Sequence, residues 1–218
     1  QSTPTGCAVA LISKDGERTF ATYLGAAIEL RADLLSKELF LGYDYFHIEG
    51  YLIVNHDLIR TAIRMANEMG LKVSIDLASY NVVEENIDFL KEICKDVHII
   101  FANEEEAKAF TSQDAEQAVK TISNLCEIAV VKIGKKGSLI KSSNQEIRIY
   151  ERERTCLDTT GAGDMYAAGF LAGLCLGKDL EYCGNMGSIL AGNVIEVYGA
   201  KMDKESWAKI KEEINTLS

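Results

Sequence analysis

One proline in 218 residues, Pro4, and no stretch rich in proline, glycine and serine leave nothing in this chain that reads as an interdomain linker. The length therefore fits one large α/β domain over residues 1–218. Basic side chains are in deficit: 23 Lys and Arg against 33 Asp and Glu give a formal charge of −10. That balance repels phosphate backbones and anionic lipid and argues against nucleic acid and membrane surfaces as partners. The six cysteines (Cys7, Cys94, Cys126, Cys156, Cys175 and Cys183) form no Cys-x-x-Cys pair, and a chain of this size needs no disulfide staples. Reduced thiols are expected. No run has the length and apolar purity of a membrane span, and residues 1–10 hold no basic segment followed by an apolar signal core. These absences fit a cytoplasmic enzyme. The three histidines lack metal-ligand spacing and read as core or surface residues.

What is present is alternation between strand and helix periodicities. "CAVALIS" and "RTFATYL" flank "KDGE", so Cys7 to Leu24 reads as a β-hairpin with Gly16 in its turn. A strand in "YFHIEGYLIV" follows, then an amphipathic helix "HDLIRTAIRMANEMG" stopped by Gly70, and a strand in "LKVSIDL". The order continues with helix "VVEENIDFLKEIC", strand "DVHIIFA", and the helices "NEEEAKAF" and "DAEQAVKTISNL". "IAVVKIG" is apolar enough for a strand buried on both faces. "GSLIKSS" and "EIRIYERE" alternate like a second hairpin. Three helices close the sequence from Gly161 onward. Such alternation predicts a doubly wound, mostly parallel sheet flanked by helices.

The segment "DTTGAGD", Asp158 to Asp164, lies at the entry to the first of those closing helices. Helix N-termini present unpaired N–H groups and partial positive charge, so Gly161, Ala162 and Gly163 would let the backbone approach an anion. A structural reading fits as well: Thr160 caps the helix and Asp164 complements its dipole. The dinucleotide fingerprint does not fit, because Tyr166 stands where the third glycine belongs. A Walker loop does not fit "GLCLGKD" either, which is one residue short. Asn103 and Glu106, at i and i+3 where a strand becomes a helix, form a capping arrangement that occurs with or without function. Asp76 ends its strand where open α/β sheets bind ligands. The small-residue run "GNMGSILAGN" leaves room either for a flat ring, with Asn185 or Ser188 reaching its polar edge, or for close helix packing.

"DTTGAGDMYAAGFLAGL" resembles the C-terminal signature of the ribokinase (PfkB-type) carbohydrate and nucleoside kinase family. "FANEEEA" is similar to the family's Asn-x-x-Glu motif, and "VVKIGKKGSLI" to its glycine-bearing nucleotide strand at Gly134 and Gly137. "DGERTF" and "IEGY" fall where the family places its lid and a substrate-facing glutamate, here Glu49. The resemblance implies a ribokinase-like fold with a small β lid, here the hairpin over residues 7–24, and transfer of the γ-phosphoryl group of ATP to a hydroxyl. It implies an anion hole from the amides of Gly161, Ala162 and Gly163, Asp164 as general base, and Asn103 with Glu106 organising Mg²⁺ through water. Asp158 and Thr160 match positions that in many members help hold a monovalent cation such as K⁺. Lys132 departs from the small hydroxyl or amide residue more usual there. It either meets phosphate oxygens or covers the sheet end with its aliphatic stem.

"DGERTFATYLGAA" with "FHIEGYL" resembles the bacterial adenosine-kinase-like branch more than ribokinase or fructokinase proper. The family's opening portion, with a Gly-Gly acceptor motif and the first lid strands, has no counterpart here, which implies a longer functional polypeptide or a lid completed by a second subunit. Three functions fit: a nucleoside kinase, a sugar kinase, or a nucleotide-binding remnant without turnover.

Overall fold

The computed structural model describes residues 3–13 and 18–217, Arg18 by its backbone alone. The expected turn at Lys14 to Glu17 lies outside the described residues. Two compact units emerge, one from Arg31–Glu151 and one from Gln1–Leu30 together with Arg152–Ser218.

The second of these opens with the expected antiparallel hairpin, β1 (Thr5–Ile12) and β2 (Arg18–Gly25). Apolar side chains alternate along it as the sequence suggests, yet Val9, Leu11, Phe20 and Tyr23 are all exposed.

The unit Arg31–Glu151 is built on a six-stranded mixed sheet: β3 (Tyr45–Glu49), β4 (Lys72–Asp76), β5 (Ile99–Asn103), β6 (Ile128–Lys132), β7 (Ser138–Ser142) and β8 (Glu146–Ile149). The first four are mutually parallel, and β7 pairs antiparallel with both β6 and β8. Among the described strands the order follows the chain without reversing. Between them lie α1 (His56–Glu68), α2 (Tyr80–Glu85), α3 (Ile87–Ile93), α4 (Glu104–Thr111) and α5 (Ala115–Ile122), giving the helix-flanked, mostly parallel sheet that the alternation predicts.

Local chemistry sets these elements. Asn55 caps α1, its side chain accepting from the Leu58 N–H at 3.2 Å, and Gly70 ends the turn at φ 82°. Leu58, Ile59, Ala62, Ile63 and Ala66 are its buried stripe. β5 buries every residue but its last and β6 every residue but its first and last, and each fully buried Ile or Val there is worth about 1.5–3 kcal/mol. One expectation fails in detail: "VVEENIDFLKEIC" forms two helices rather than one. Asn86 breaks it at φ −125°, ψ 23°. Its amide donates to the Val82 carbonyl at 2.9 Å, while its oxygen faces the His56 ring 3.0 Å away.

The other unit is completed by α6 (Ala162–Cys175), α7 (Leu180–Val194) and α8 (Lys204–Asn215). A Cβ at Gly169 would stand 2.8 Å from the Met186 carbonyl oxygen, and one at Gly187 2.8 Å from that of Tyr166. Glycine at both places lets α6 and α7 touch. Ile189, Leu190, Val194, Met202 and Ile210 form this unit's own core.

Candidate active site

Four sequence-predicted positions are the last residues of four consecutive parallel strands: Glu49 of β3, Asp76 of β4, Asn103 of β5 and Lys132 of β6. Glu49 is in register with Asp76, and Asn103 with Lys132. Parallel strands present their carboxyl ends together, which is where open α/β sheets bind ligands.

Asn103 caps α4 in a reciprocal capping box. Its side-chain oxygen accepts from the Glu106 N–H at 2.8 Å, and both Glu106 carboxylate oxygens accept from Asn103, one from its backbone N–H and one from its amide, each at 2.7 Å. Glu106 is only 2% exposed. Burial first, and the Asp76 charge second, push its carboxyl up to about 7, with Lys132 opposing.

That shift predicts a pH dependence. The ordinary value is 4.5, so between there and about 7 the folded protein holds a proton that the unfolded chain releases. This contribution is complete at the acid end and lost as pH rises through the folded value. In metal-free buffer the urea midpoint is expected to fall from about pH 5 to about pH 8 by the equivalent of a few kcal/mol at most. Glu106→Gln removes the titrating group, retains one of the two acceptors facing Asn103, and should flatten that slope. Superimposable pH profiles for the two proteins would show that Glu106 does not titrate in this window.

Lys132 is paired with Asp76. Its ammonium is 2.5 Å from the Asp76 carboxylate, and the two side chains are 17% and 10% exposed. The other Asp76 oxygen accepts the Ala78 N–H at 2.9 Å. Glu49 is half-exposed and linked to residues that sequence reasoning passed over: its carboxylate lies 3.2 Å from one His47 ring nitrogen, and the other is 2.9 Å from the hydroxyl of buried Ser74. The period-two spacing of His47 and Glu49, which puts both on one face of β3, is the signal that would have found this chain. Gly134 (φ 55°) and Gly137 (φ 95°) form the turn between β6 and β7.

In the other unit, α6 begins at Gly161, in the left-handed region at φ 79° and without a side-chain cap. Thr160 is not that cap. Its backbone N–H and its hydroxyl both donate to one oxygen of buried Asp158, at 2.9 and 2.7 Å, while the other oxygen accepts from the Gly199 N–H at 2.7 Å. Asp158 thus clasps the loop and leaves α6 with a bare amino terminus. A Cβ at Gly161 would meet that of Ala200 at 2.8 Å. Of the three expected anion-hole amides, that of Ala162 reaches the Thr159 carbonyl at 3.2 Å. Gly163 lies in the first turn, where helix geometry supplies no acceptor, and Asp164 is exposed in the same turn. On α7, Asn185 donates to the Glu181 carbonyl at 2.9 Å and Ser188 is buried. The helix-packing reading of the small-residue run accounts for Gly187.

The donor chemistry fits magnesium shared with phosphates. Among the described residues no three His, Cys, Asp or Glu side chains could hold a metal alone. Glu106 keeps lone pairs beyond those given to Asn103, which suits hydrogen bonds to the water shell that magnesium retains.

Residues 1–207 match the profile described as pfkB family carbohydrate kinase. An uncharacterized sugar kinase of Archaeoglobus fulgidus is 30% identical over 199 residues, which cover 90% of this chain and 79% of that protein. A probable sugar kinase from Rhizobium etli superposes with a TM-score of 0.90 at 32% identity, covering 97% of this chain and 66% of that one. Adenosine kinase from Sinorhizobium meliloti does so with a TM-score of 0.90 at 31% identity, covering 96% and 66%. The chain therefore spans 66% of the length of each of those two solved structures. No helix among the described residues is long and apolar enough to cross a membrane.

Proposed function

We propose that this chain, which belongs to the pfkB family of carbohydrate kinases, transfers the γ-phosphoryl group of ATP to a primary hydroxyl of a nucleoside such as adenosine, with residues 1–218 acting as parts of one kinase domain. The observation that carries the reading is the start of α6: an uncapped, glycine-bearing helix terminus with an exposed aspartate in its first turn. Phosphoryl transfer needs positioning and charge stabilisation more than covalent help. The Gly161 and Gly163 amides, with the positive end of the α6 dipole, face the charge that grows on the transferred group. Asp164 takes the proton of the acceptor hydroxyl as its oxygen bonds to phosphorus. Magnesium, when bound, neutralises phosphate charge, and Glu106 with Asn103 would hold its waters. K⁺ would sit beside Asp158 and Thr160, with loop carbonyl oxygens as further ligands.

Gly134 and Gly137 shape the turn that borders the nucleotide, Asn185 and Ser188 face its base, and Glu49, steadied by His47, receives the acceptor. The exposed apolar side chains of β1 and β2 support a lid covered by a second copy of the chain. The reading places the protein in the cytoplasm, with ATP.

Glu106→Gln should raise the Mg²⁺ concentration needed for half-maximal turnover, since it removes charge from a hydrated-metal site. An unchanged metal titration would leave Glu106 with its capping role alone. A sugar acceptor is the second reading, favoured by the relatives named as sugar kinases in Archaeoglobus fulgidus and Rhizobium etli. Assaying the purified protein with adenosine, ribose and fructose separates the two. The expected result is a kcat/KM for adenosine at least about tenfold above either sugar, a discrimination within reach of a few polar contacts. The reverse preference establishes the sugar reading, and nucleotide binding without any phosphorylated product establishes a remnant.

A further inference from the structure

The carboxyl ends of β4, β5 and β6 gather two carboxylates and one ammonium in a nearly dry setting. Asp76 and Lys132 are 56 residues apart in sequence, and their strands are separated by β5. Lys132 reaches across that strand to Asp76. Glu106 enters from the first turn of α4, where the Asp76 charge repels its carboxylate and the Lys132 charge attracts it. Each carboxylate oxygen has a protein partner: Lys132 and the Ala78 N–H on Asp76, the two Asn103 donors on Glu106. Without the ammonium, two carboxylates would share the end of the sheet uncompensated, and hard divalent cations seek such oxygen pairs.

We propose that Lys132 is a built-in counter-ion: its ammonium stands in for a cation at the Asp76–Glu106 cluster and confines this end of the sheet to the single hydrated metal that arrives with the nucleotide. The inference rests on the phosphoryl-transfer reading for its purpose and on the Lys132–Asp76 ion pair for its geometry. Lys132 is then a positioning residue acting through Asp76. It is not a phosphate clamp, and the departure from a small polar residue at this point of the sequence acquires a physical reason. Arginine could keep the charge, whereas methionine would keep the stem and remove it.

Manganese binding to the nucleotide-free protein tests this directly, followed by the paramagnetic signal of the free ion. Wild type and Lys132→Arg are expected to bind Mn²⁺ weakly. Lys132→Met should gain one site at least about tenfold tighter, the scale of removing one nearby like charge from the ion's environment. Adding Asp76→Asn to Lys132→Met should abolish that gain. Lys132→Gln, which can still hydrogen-bond Asp76, provides a second neutral variant. If both neutral variants are too unstable to titrate, millimolar Mn²⁺ should raise their melting temperatures by more than that of wild type. Mn²⁺ affinity, or a Mn²⁺-induced melting shift, equal to wild type overturns the proposal.

A second measurement separates the counter-ion from a clamp. With saturating Mg²⁺, KM for ATP in Lys132→Met should stay within about threefold of wild type, whereas loss of a direct phosphate contact would raise it by about tenfold or more and overturn the proposal. Absence of any ATP turnover in wild type would remove the kinase reading and leave the manganese result to decide the counter-ion.

Discussion

Replacing Asp164 with Asn is expected to lower turnover by roughly 10²- to 10⁴-fold, the usual contribution of a positioned general base, with ATP affinity within a few-fold of wild type. The substitution is nearly isosteric and the side chain is exposed in the first turn of α6, so packing is undisturbed. The cost to stability includes the lost interaction of a negative charge with the helix terminus, about 0.3–1 kcal/mol. Catalysis and folding therefore report separately on this residue. Single-turnover kinetics with bound ATP would show the loss in the chemical step. Turnover within a few-fold of wild type would remove Asp164 from the role of base and leave it as a dipole partner.

Gly137→Ala is expected to destabilise the protein by roughly 3–5 kcal/mol, combining the left-handed backbone cost with overpacking. Gly137 holds φ 95°, and a Cβ there would lie 1.8 Å from the Ile149 carbonyl oxygen and 3.0 Å from the Glu151 backbone nitrogen. Both obstacles are backbone, so relief requires β8 to move away from the β6–β7 turn. Gly134→Ala provides the control. Its φ of 55° is also left-handed, but nothing lies within 4 Å of the added carbon, and the loss should be about 1–2 kcal/mol. Urea unfolding of both variants checks the pair. Equal losses would mean that the β8 backbone yields freely. If Gly137→Ala instead folds with normal stability yet loses ATP affinity, the glycine serves the nucleotide and not the turn.

The glycine pair shows where sequence reasoning stops. "GKKG" announces a turn, and both glycines are equivalent in that respect. Only Ile149, brought alongside by the β7–β8 hairpin, makes one of them sterically obligatory. The same division runs through the site. The capping box of Asn103 and Glu106 is complete within four residues, so its spacing was enough to predict it. Apolar β5 and β6, the amphipathic α1 and the glycine that stops it were likewise legible, because periodicity and capping act over a turn or a strand. The helix break at Asn86 escaped notice because its oxygen meets His56, 30 residues away.

Thr160 looked like a helix cap in sequence. It is drawn instead to Asp158, whose other oxygen is anchored by Gly199, 41 residues further on. In sequence Lys132 offers a phosphate contact or a stem over the sheet end, and only the parallel register reveals Asp76 across β5 as its ion-pair partner. The sequence by itself determined the order of strands and helices, the Asn103–Glu106 capping box and the strand-end positions of the polar residues, since these follow from local hydrogen bonding and apolar period. Which charges pair, which carboxylate is buried, and which helix terminus stays bare were decided only by the tertiary structure. Those outcomes depend on groups tens of residues apart being brought within a hydrogen bond's length and withdrawn from water, and no local pattern encodes that distance.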